Sequence, residues 1–199
     1  MGNITLPKSL HSSKEKNGNM MKWKTIESKY LTVSPYFTSR VDRCMADGGK
    51  IVPAYYVVEL PTSVCAVCIT SQNEVLVVKQ YRHPIEEICI ELPGGFVNEG
   101  ETPDQAIKRE LQEETAYEFE EYIPLGRVAA NPGVLNNYTY FFLAKNGKPH
   151  GKQKLDENEF LNVEKISIAE LKHLLNEHQL LQSLHANCAY YALKELGKI

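Results

Sequence analysis

Residues 94–117 read GGFVNEGETPDQAIKRELQEETAY, a glycine pair followed by a capped, acidic helical stretch. Thr102 suits an N-cap, Pro103 the first helical position, and Gln105, three residues after Thr102, completes a capping box; together they predict a helix over Pro103–Thr115. Along that helix Glu110, Glu113 and Glu114 stand at i, i+3 and i+4, so the three carboxylates share one face. Like charges at this spacing repel. Arg109 reaches Glu113 one turn on, but a single guanidinium cannot neutralise three carboxylates. The missing partner is a hard divalent cation, which takes oxygen ligands; Mg²⁺ fits because it is held by few carboxylates plus substrate phosphates, with Mn²⁺ as the alternative ion. Taken alone, the trio could also be a solvated acidic face. Gly94-Gly95 ending a strand just upstream, and Glu101 placed where it can bond Arg109 or favour the helix N-terminus, argue for a built site.

The spacing is Gly95, five residues, Glu101, seven residues, then Arg109-Glu110-Leu111-x-Glu113-Glu114. It resembles the Nudix hydrolase box, G-x5-E-x7-R-E-U-x-E-E-x-G-U with U apolar. Ala116 stands where the box has its second glycine, and a left-handed backbone there would be strained. The resemblance implies an α+β Nudix fold, a mixed β-sheet core sandwiched between helices, with an N-terminal antiparallel β-subdomain. It also implies a loop–helix–loop that holds Mg²⁺ against a diphosphate, in an enzyme hydrolysing a nucleoside diphosphate linked to another moiety. Glu110, Glu113 and Glu114 would be metal ligands, with the Gly94 carbonyl a further candidate. Arg109 and Glu101 would orient the cluster, and Gly95 would be structural. Glu113 and Arg109 would also count among the catalytic residues.

Outside the box, Gln80-Tyr81-Arg82-His83-Pro84, Glu91-Leu92-Pro93-Gly94-Gly95 and Pro132, sixteen residues after Ala116, look like the ADP-ribose pyrophosphatase branch of that family. This wider resemblance covers residues 22–198. It implies hydrolysis of ADP-ribose to AMP and ribose 5-phosphate. The rival readings are a nucleotide-sugar hydrolase, such as one for GDP-mannose, and a Nudix-fold regulator that binds a nucleotide without cleaving it. The branch often takes its general base from a loop after the box, which here is Leu155-Asp156-Glu157-Asn158-Glu159-Phe160. Glu157 is the expected base and Glu159 the carboxylate nearer metal or substrate; ordinary surface acidity is the alternative. Trp23 would stack on the adenine, across a homodimer with exchanged N-terminal strands, unless it is a core or β-surface tryptophan. Arg82 would meet phosphate or ribose, unless it is tied in an ion pair to Glu86 or Glu87. Pro132 would shape a turn near the substrate, and His83 reads as a turn residue.

The chain has 199 residues, 43% of them apolar and 24% charged, with a formal net charge of -3. That balance suits a globular protein and argues against a nucleic-acid or anionic-membrane binder, which would carry a basic excess. No apolar run is long enough for a transmembrane helix. Cys65 and Cys68 have CxxC spacing, but they lie within the apolar run VCAVCIT, with no second CxxC, and read as buried strand thiols. An odd count of 5 cysteines fits a reducing cytoplasm. Residues 1–20 are polar, without the apolar segment of a secretory signal, and are expected to be a disordered extension. The expected division is residues 21–60 as the β-subdomain, for dimerisation and base contact, and 61–199 as the hydrolase domain. Strands are expected near 64–70, 74–80, 88–92, 122–131 and 138–144, and further helices over 168–177 and 182–196.

Overall fold

The computed structural model describes residues 22–34 and 37–199; the expectation for residues 1–20 lies outside them. Strands β1 (Lys24–Thr32), β2 (Thr38–Met45) and β3 (Ile51–Glu59) form a separate antiparallel sheet in that order. The larger sheet holds β4 (Ser63–Thr70), β5 (Glu74–Arg82), β6 (Glu87–Glu91), β7 (Tyr117–Glu118), β8 (Glu121–Val128), β9 (Thr139–Pro149) and β10 (Leu161–Ser167). Three helices accompany it, α1 (Pro103–Thr115), α2 (Ile168–Asn176) and α3 (Ser183–Glu195). The spine runs β10-β5-β4-β9-β7, with β4 and β9 parallel and the other pairs antiparallel. Strand β10 was not expected from the sequence.

Strand β4 shows why the sheet is sandwiched. Its residues Val64–Thr70 are all buried, the mark of a strand covered on both faces. Side chains alternate. Cys65, Val67 and Ile69 pack in the cluster that holds Leu171 of α2 and Leu193 of α3. Val64, Ala66 and Cys68 pack in the cluster that holds Ile107 and Leu111 of α1. The CxxC thiols therefore lie in opposite clusters, free and buried.

The sheet opens where the functional residues gather. Strand β4 pairs with β5 only at Cys68–Leu76 and Ile69–Val75. Beyond that point β5 pairs with β6, from Val78–Glu91 to Arg82–Glu87. Strand β4 turns instead to the segment after β6, its Ala66 N–H donating to Pro93 O at 3.1 Å and its Val64 N–H to Gly95 O at 2.8 Å. Only glycine fits at 94: φ is +149°, and a Cβ there would collide with the backbone of Val64 and Cys65. The small sheet is joined to this region through the turn at 131–136, with Val58 N–H bonding Val134 O at 2.8 Å and Tyr55 Oη–H donating to Gly133 O at 3.0 Å.

Candidate active site

Helix α1 starts as its sequence dictates. Thr102 Oγ1 accepts from Gln105 N–H, and Gln105 Oε1 accepts from Thr102 N–H, so both halves of the capping box form. The helix ends at Ala116 in the left-handed region, φ 57°. The segment after β9 then closes its C-terminus. His150 N–H donates to Ala116 O at 2.7 Å, Gln153 Nε2–H to Glu114 O at 2.5 Å and Lys154 N–H to Glu113 O at 2.8 Å. These bonds fill carbonyls that a helix end leaves unpaired, and they fasten the acidic loop at 155–160 to the acidic helix.

The carboxylates on α1 occupy different environments. Glu114 is 2% exposed and accepts Gly94 N–H at 2.8 Å. Burial holds its proton affinity well above the ordinary carboxylate range, with the charges of Glu110, Glu159 and Glu91 adding to the effect and the Gly94 bond opposing it. Burial likewise pushes Glu110 up to about 7, against the pull of Arg109 and with Glu159 and Glu113 reinforcing it. Gly95 lies against Glu110, since a Cβ there would stand 2.5 Å from its Oε1. Arg109 grips Glu101 through Nε–H at 3.0 Å and Nη2–H at 2.9 Å. It also reaches Glu110 at 2.9 Å, Glu113 at 3.0 Å and the Phe96 carbonyl at 2.9 Å. The Glu101 bond holds that carboxyl below its ordinary value, and Arg109 stays charged.

Gly94, Glu110, Glu113, Glu114 and Glu159 face one cavity of about 1010 Å³, which Arg82 also lines. These groups offer oxygen donors of the kind a hard divalent cation takes, and two of the carboxylates, Glu110 and Glu114, are buried with a charge that one arginine cannot balance, although among the described residues no three acidic, His or Cys side chains already stand as a ligand cluster.

Other expected site residues fall elsewhere. Glu157 is exposed and outside the cavity wall, while its neighbours Asp156, Asn158 and the half-buried Glu159 line it. Pro132 is exposed and outside the wall, although Ala130 and Leu135 of the same loop line it. Trp23 is 51% exposed on the small sheet, edge-on to Tyr55 with ring centroids 5.9 Å apart, and does not line this cavity. Arg82 is ion-paired, with Glu91 rather than Glu86 or Glu87. Glu91 and His185 were missed. The buried Glu91 alternates with apolar Ile90 and Leu92, and its one sequence signal was the Glu-Leu-Pro-Gly-Gly stretch itself.

The NUDIX domain pattern matches residues 59–186. The chain belongs to the Nudix hydrolase family. This Nudix protein is 30% identical over 165 residues to a methanol dehydrogenase activator of Bacillus methanolicus, a match covering 80% of this chain and 89% of that one. It is 28% identical over 179 residues to an ADP-ribose pyrophosphatase of Bacillus subtilis, covering 86% and 96%. It is 34% identical over 123 residues to an ADP-sugar pyrophosphatase of Mus musculus, covering 59% and 56%. A solved structure of an ADP compounds hydrolase superposes with a TM-score of 0.78 over 92% of this chain and 100% of that one. At 19% identity that likeness shows the Nudix fold.

Proposed function

We propose that this Nudix protein hydrolyses ADP-ribose to AMP and ribose 5-phosphate, with Mg²⁺ as its metal. The observation that carries the reading is the pair of buried carboxylates, Glu110 and Glu114, facing one cavity together with Glu159 and Arg82. The names of its pyrophosphatase relatives support the choice of an ADP-linked substrate.

Glu110, Glu113, Glu114 and the Gly94 carbonyl would hold the ion. When bound, it supplies charge stabilisation to the diphosphate and acidifies a water. Arg109, tethered by Glu101, keeps Glu110 and Glu113 turned toward the cavity. We assign proton acceptance to Glu159 in place of Glu157, because a base must reach the reacting water. The small sheet, whose β1 is exposed along its whole length, would pair with a second copy of the chain and bring Trp23 to the base. The buried free thiols suit a reducing cytoplasm.

A panel of ADP-ribose, ADP-glucose and GDP-mannose tests the reading by chromatography of the products. AMP and ribose 5-phosphate from ADP-ribose, at the highest kcat/KM of the three, is the expected result. Preference for GDP-mannose would move the assignment to a nucleotide-sugar hydrolase. Binding without turnover of any would favour a regulator, a role of the kind named for the Bacillus methanolicus relative.

A further inference from the structure

The cavity has a second polar wall, away from α1, where β5, the end of β6 and the start of α3 meet. One buried carboxylate sets its chemistry. Glu91 is 1% exposed and accepts Arg82 Nε–H at 2.8 Å, Arg82 Nη2–H at 2.5 Å and Gln80 Nε2–H at 3.3 Å. This fork pairing cancels the charge of Arg82 and leaves its other N–H groups unspent beside the cavity.

His185 stands next to the pair, its Nδ1 3.8 Å from Glu91 Oε2. That nitrogen accepts Leu92 N–H at 3.2 Å, which places the ring proton on Nε2. Burial holds the imidazole down at about 4, so it is neutral at neutral pH. Its Nε2–H has no hydrogen-bond partner among the described residues. Nor is it sealed off, since the one sealed and unpaired side-chain atom among them is Asn137 Oδ1. His185 lines the cavity.

The wall is therefore a set of donors with almost no net charge. A free phosphate would call for uncompensated cations. A nucleobase would call for a Phe, Tyr or Trp plane, and the cavity's one such residue, Phe96, comes from the segment between β6 and α1, whereas Pro84, Ile85, Cys89 and Leu181, within or beside the elements of this wall, offer none. A polyhydroxylated sugar matches it, because its hydroxyl and ring oxygens accept from neutral donors. We propose that His185 is a specificity-determining residue, donating from Nε2 to an oxygen of the sugar beyond the diphosphate, beside an Arg82 held by Glu91. The inference rests on the hydrolase reading above and names which half of the substrate this wall takes.

Two variants separate the roles of the ring. His185→Asn keeps an acceptor for Leu92 N–H and lacks the outer donor. His185→Gln supplies the outer donor. Both are compared with wild type on ADP-ribose and on the methyl ester of ADP, which carries the same base and diphosphate but no second sugar. The expected result for His185→Asn is a KM for ADP-ribose raised about tenfold, the weight of a hydrogen bond of about 1.4 kcal/mol. Its kcat and its KM for the methyl ester stay near wild type, and His185→Gln recovers much of the loss. A KM that rises equally on both esters, or on neither, overturns the assignment. If wild type cleaves neither ester, the hydrolase reading fails by itself. The His185 assignment is then judged by calorimetric binding of the same two compounds, where a tenfold loss confined to ADP-ribose supports it and any other pattern overturns it.

Discussion

Glu110 and Glu114 are costly residues for the fold. Each is a carboxylate whose folded proton affinity lies above its ordinary value of 4.5, because burial disfavours the charge. The stability such a group allows is fully present below 4.5 and is lost as pH rises through the folded value, about 7 for Glu110. A divalent cation held there, as proposed above, would remove that loss by balancing the charge. The gain in Tm on replacing EDTA with Mg²⁺ should therefore grow between pH 5 and about 7.5. His185 works in the other sense, losing stability as pH falls from 6.5 toward about 4, but acts equally in both solutions and cancels in the difference. A gain that is constant across the window, or absent, contradicts the picture. The same residue-scale logic explains Arg82. In the strand register it stands opposite Glu87, and nearness in sequence suggested Glu86 or Glu87 as its partner. It bonds Glu91 because that carboxylate is buried and must have a counter-charge, whereas exposed Glu87 needs none.

At the scale of elements, α1 was legible to the residue. Its cap, its first proline and its acidic face are all local chemistry, and the structure forms both capping bonds. Strand β10 was not legible. Its Glu164 and Lys165 mask a strand pattern in LNVEKIS, and they are accommodated by ion pairs of 2.8 Å to Lys79 and of 2.8 Å to Glu74 across β5, a partner distant in sequence. The helix also carries a flaw. Ala116 holds φ 57°, a conformation that costs an L-residue about 1–2 kcal/mol over glycine before glycine's greater unfolded freedom is set against it. Ala116→Gly should raise stability by about 0.5–1 kcal/mol, read as a later denaturant midpoint with an unchanged m-value. An earlier midpoint would mean that the Ala116 methyl contributes packing worth more than the strain.

At the scale of the molecule, the cavity follows from topology. It lies where β4 and β5 part and the 93–95 segment takes up β4's free edge, a long-range event that no local signal announces. The sequence therefore pointed to the helix carboxylates but not to the wall built by Glu91 and His185, which comes from elements far apart in the chain. The small sheet raises a separate expectation. Strand β1 is exposed throughout and lies at the edge of its sheet, and Trp23, Tyr30 and Leu31 in and beside it are each at least half exposed, so this edge calls for a cover. Sedimentation of the full chain should give a dimer at micromolar concentration; a monomer there would count against a second copy as that cover.

On the proposed reading, turnover depends on a metal held by the acidic face of α1. Glu113 is the residue to change, since its side chain is a third exposed and can be replaced without opening the core. In Mg²⁺, Glu113→Gln should lower kcat for ADP-ribose by about 100-fold or more while Tm stays close to wild type. A variant that turns over at the wild-type rate would contradict the claim.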